Sequence, residues 1–293
     1  MPLKILTPPV ALPLHIADVR QHLRQDITDD DNLITTIYLP QAVASAQMET
    51  QRQLVAARYQ YILDAFPGPS LMGVPMGKAF GIPRHAIQMP VGPLIQVISI
   101  EYTAMDGSTQ TMPTTDYTVD LTCDPPRITP VFGKIWPITL PQIGSVRVTF
   151  DAGYVAAFVA NATSNTVAIS GWKTLLVGDT VRLSNSGGAL PAPLTIKTDY
   201  FIQSVVSPGV YTLAATFGGA VIDITNVGTG LNFVGQTGFN GSAGEIPGGL
   251  LAWLLMAVET RYSYRGQLIN TPGVITNNPY VDRLLDPYRM VIL

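Results

Sequence analysis

The spacing of hydrophobic positions changes several times along the chain, and each change predicts a different kind of element. In residues 14–24, LHIADVRQHLR, the side chains Leu14, Ile16, Val19 and Leu23 recur at helical spacing. A second helix follows from the acidic cluster Asp29-Asp30-Asp31, because acids at a helix start complement its free N–H groups and its dipole. Its apolar stripe reads Leu33, Ile34, Ile37, Ala44 and Met48, with a kink expected at Pro40, which cannot supply the N–H of a regular turn. Together the two make a helical hairpin with an apolar face. Before them, Pro2, Pro8, Pro9 and Pro13 break any signal-peptide helix and predict an extended arm.

From about residue 54 to 160 the spacing turns to alternation, in VAARYQYILDAF, LIQVISIEYTA, DYTVDL and SVRVTFDAGY, with a turn signal at Asp106-Gly107. This predicts an antiparallel β-domain. Between its first two strands, residues 67–93 contain six prolines and five glycines, which excludes a central strand and predicts a long projecting loop. A third regime covers 161–238, where the short β-rich runs TVAIS, DTVRLS, YFIQSVV, VYTLAA and AVIDIT alternate with turn residues. That pattern predicts a small all-β insertion. Residues 239–293 then hold a helix starting at Ile246-Pro247, with Leu251, Leu254, Leu255, Val258 and Tyr262 on one face and Trp253, Met256 and Ala257 on the other, and Gly266 at the C-cap position. A helix apolar on two sides is expected to be covered on two sides, which points to a subunit interface. The fold class expected is α+β: a helical core of the N-terminal hairpin (in residues 1–53) plus the C-terminal helix, an antiparallel β-domain, and the nested all-β insertion.

Composition narrows the function. Only 37 of 293 residues are charged, so the surface lacks the charge that keeps soluble monomers apart and is expected to be covered by partner subunits. The net charge is −3 and the twelve arginines and five lysines are scattered singly, which argues against a phosphate-gripping stripe. Cys123 is the single cysteine, excluding an internal disulfide and a multi-cysteine zinc site. The longest apolar run, Ile246 to Val258, is shorter than the about 20 residues a membrane span requires. His15 and His22 fall on one side of the first helix without the Glu of a zinc-protease motif, and His85 lies alone in the proline-rich stretch. Asp29-Asp30-Asp31-Asn32 has no glycine where a calcium loop turns sharply. Gly77-Lys78 and Gly133-Lys134 lack the rest of a phosphate loop, and Gly241-Ser242-Ala243-Gly244 lacks the spacing of a nucleophile elbow. Tyr59, Tyr61, Tyr102 and Tyr154 could stack bases or sugars, but without basic neighbours they read as packing residues. No catalytic residue, cofactor site or metal site is therefore expected, and the chain is not expected to be an enzyme.

The order of segments PLHIADVRQHLR, DDDNLITTIYLPQAVASAQ, DYTVD, PPRI, FGKIWP, LPQIGSVRVTFDAGY, IPGGLLAWLLMAVETRYSYR and LLDPYR resembles the head-tail connector (adaptor) proteins of tailed bacteriophages, in their longer form with a β-domain between helices. The insertion, with VGDTVRLSNSGGALPAPL, KTDYFIQSV and ITNVGTGLNF, is similar to a small β-module of phage virion proteins. Pro40 and the sparsely charged last helix depart from the family pattern. The resemblance implies a structural protein of the virion neck, made in the bacterial cytoplasm, that forms a ring of about twelve subunits under the portal protein. Such a ring extends the channel for duplex DNA and docks a tail or neck protein, with no membrane involved. The insertion then reads as an autonomous module on the outside of the ring. Candidate interface residues from the last helix and tail are Leu250, Trp253, Met256, Tyr262, Arg265, Tyr280, Tyr288 and Arg289. Competing readings are a carbohydrate-binding or depolymerising tail component, for which the insertion supplies only Asp179, Asp199 and Asp223 as acids, and a capsid decoration protein.

Overall fold

The computed structural model describes residues 3–68, 85–238, 244–263 and 283–290, and the chain divides into two compact units. The first comprises Met1–Pro9, Ala56–Gly153 and Met290–Leu293. Its strands are β1 (Leu3–Thr7), β2 (Ala57–Leu63), β3 (Ile87–Gln88), β4 (Leu94–Thr103), β5 (Thr109–Thr111), β6 (Tyr117–Asp120), β7 (Arg127–Pro130) and β8 (Val146–Ala152). They build an antiparallel sheet in the order β1-β2-β8-β4-β5 and a smaller one in the order β3-β7-β6. The alternation in the sequence sets the faces: Ala57, Tyr59 and Tyr61 of β2 are buried opposite Ala152, Phe150 and Val148 of β8. Tyr59 stacks on Phe150 with ring centroids 5.6 Å apart.

Two expectations change here. Half of the N-terminal arm is β1, an edge strand paired antiparallel with β2. The far end of the proline-rich stretch is β3, which also takes an edge, where a missing proline N–H costs no ladder bond. Ile87 and Met89 of that stretch are buried in the core with Phe66 and Trp136, while residues 69–84 lie outside the described part.

The second unit, Val10–Val55 and Tyr154–Arg289, holds the helices α1 (Ile16–Leu23), α2 (Asp31–Leu33), α3 (Leu39–Thr50) and α4 (Gly248–Ser263). Between α2 and α3 the chain makes a π-turn over Ile34–Tyr38, in which the Leu39 N–H reaches back five residues to the Ile34 carbonyl. Pro40 explains it, since a proline ring crowds the carbonyl four residues before it and the wider turn gives it room. The buried set becomes Ile34, Leu39, Ala42, Val43, Ala46 and Thr50, while Ile37, Ala44 and Met48 of the expected stripe face solvent. One extra residue in the turn rotates everything after it.

The same unit contains a closed antiparallel barrel of β9 (Ala156–Asn161), β10 (Thr166–Ile169), β11 (Thr180–Ser186), β12 (Asp199–Ser207), β13 (Val210–Ala214) and β14 (Leu231–Gln236), in the order β10-β13-β12-β11-β14-β9. Four of the five runs read from the sequence are barrel strands. AVIDIT contributes only the bridge Ala214–Val221, and the run LNFVGQ takes the sixth place. The barrel's first and last strands are neighbours, with Ala156 opposite Val234. The barrel also shares a core with the helices: Val155 and Phe233 are buried with Val19, Leu39, Leu54, Leu250 and Leu254. The whole is a mixed fold of several antiparallel sheets with few helices.

Candidate functional site

The side chains expected to form an interface come from α4 and the tail. On α4 the buried positions Leu250, Trp253, Leu254, Ala257 and Val258 follow helical spacing, and the helix packs against α1, α3 and the π-turn. Leu250 is fully buried and Trp253 is 8 % exposed, both in the chain's own core. Leu251 and Leu255 close the margin of that core, and Met256 is half-buried. Arg265, Tyr280 and Gly266 lie outside the described residues.

The polar members of the set tie the unit together. The Tyr262 hydroxyl donates to Asp30 Oδ2 at 2.7 Å, accepts from the Gln25 amide, and its ring meets Tyr38 edge-on at 6.5 Å. Arg52 Nε donates to the Tyr288 carbonyl at 2.5 Å, and a Cβ at Gly249 would sit 2.8 Å from the Tyr288 hydroxyl, so glycine is what lets the tail approach α4. Arg289 reaches Glu49 at 3.2 Å and Asp286 at 3.1 Å.

The remaining chemistry is also engaged in structure. His15 caps α1: its Nδ1 accepts from the Ala17 N–H at 3.2 Å, and its own N–H donates to Ser186 Oγ at 2.7 Å. The Ser186 hydroxyl donates to Asp18, so His, Ser and Asp meet as a clamp between β11 and α1, with the imidazole turned to the backbone instead of the hydroxyl. His22 meets Glu259 at 3.1 Å. In the first unit, the carboxylate of Asp151 is 2 % exposed and receives Arg58 at 2.7 and 3.0 Å and Gln96 at 2.8 Å. Asp120 is held well below the usual carboxylate range by Cys123, the Thr122 hydroxyl and backbone, and Arg127; in return it pushes the Cys123 thiol up. Of the insertion's acids, Asp199 pairs with Arg182 at 2.7 Å and Asp179 accepts the Leu176 N–H at 2.9 Å. Tyr59 and Tyr61 are buried and Tyr102 packs edge-on against Phe66. Among the described residues no three metal-ligating side chains converge, and no helix is long and apolar enough to cross a membrane.

Among the described residues, two groups of exposed apolar side chains are ones that the sequence did not disclose. One is the segment 131–143, where Phe132, Ile135, Ile138 and Ile143 point outward around buried Trp136. The other is the outer stripe Ile37, Ala44 and Met48. The first has no period from which exposure can be read, and the second depends on the π-turn.

No protein-family model and no curated protein matches the sequence. In fold, the chain is similar to virion components. One chain from the virion of a native gene transfer agent particle matches with a TM-score of 0.53 at 14 % identity, covering 100 % of this chain and 97 % of that one. A chain from the neck of an empty gene transfer agent particle, computed with C6 symmetry, matches with a TM-score of 0.50 at 15 % identity over the same shares.

Proposed function

We propose that the chain is a structural protein of a phage-like virion, placed in the neck. There, copies form a ring of about twelve subunits that seats under the portal protein, extends the channel for duplex DNA and docks a tail or neck protein. The observation that carries this reading is the fold likeness over the full length to a virion chain and a neck chain. Three features support it. The fold mixes several antiparallel sheets with few helices, the candidate reactive groups are bound into caps, clamps and ion pairs, and the net charge of −3 suits a wall past which phosphates slide without adhering. In this reading the protein has no catalytic role.

The test is to mix the purified full chain with purified portal protein and follow co-sedimentation and particle images. The expected result is a stoichiometric ring on one end of the portal. Binding to head shells without portal would favour a decoration protein, and binding to or cleavage of host glycans would favour a tail component; either would overturn the neck assignment.

A further inference from the structure

We draw no further inference here: the strongest candidate, the apolar surface patch of segment 131–143 in the first unit, where Phe132, Ile135, Ile138 and Ile143 stand in solvent around buried Trp136, carries none because nothing in the structure shows what covers it.

Discussion

Buried tyrosines of the first unit make its stability depend on pH in a definite direction. Burial against β8 pushes Tyr59 up to about 12 from its ordinary value near 10, because the phenolate would lose its water; Tyr61 and Tyr117 move the same way. A group whose folded value is raised contributes its full stabilisation below pH 10 and loses it as the pH climbs toward 12. Alkaline unfolding followed by circular dichroism should therefore set in over this window, and Tyr59→Phe should shift it upward. Asp151 gives a second expectation. Arg58→Ala leaves a carboxylate that is 2 % exposed without its bidentate partner, with Gln96 as the neutral donor still reaching it. The loss should be about 2–3 kcal/mol by urea denaturation, below the full value for a buried pair because Arg58 itself is 40 % exposed. Neither dependence is legible in the sequence, which shows Arg58 and Asp151 as two charges 93 positions apart.

At the scale of elements, legibility followed local patterning. The alternation in ARYQYIL and VRVTFDA and the helical spacing of Val19, Leu250, Leu254 and Val258 are set by short-range periodicity, and these elements form where the pattern puts them. The exceptions have local causes that periodicity does not encode. Pro40 is visible in the sequence, but the pattern of apolar positions does not say whether it kinks the helix or widens a turn. β1, β3 and β14 have proline or glycine within two residues of their ends, and each is paired with a partner strand. Of the candidate interface, Leu250 and Trp253 read as two-faced because α4 is covered by three helical neighbours of its own chain, which a helical wheel cannot show. The π-turn register is directly testable in the unassembled chain. Leu39→Ala should cost about 2–5 kcal/mol, as for a fully buried leucine, whereas Ile37→Ala should stay within about 0.5 kcal/mol; a regular α-helix without the extra residue would not produce this contrast.

For the molecule as a whole, the barrel's attachment decides what its removal does. The sequence presents residues 161–238 as a module between two junctions, but the barrel already begins with β9 at Ala156, which pairs with Val234 of β14. Yet Phe233 sits in the helical core and Ser186 holds Asp18 and the His15 backbone at the start of α1. Replacing 161–238 by a short Gly-Ser linker should thus uncover Val155 and the helix core and lower the yield of soluble protein, measured by size exclusion; a well-folded, soluble deletion variant would show that the helices need no barrel wall. The proposed place of the protein is tested most directly by a cryo-electron microscopy map of the neck of the assembled particle. The account predicts a closed ring of copies of this chain between portal and tail, with the barrels away from the lumen. Density for this chain on the capsid surface or at the tail tip, with none at the head–tail junction, would contradict it.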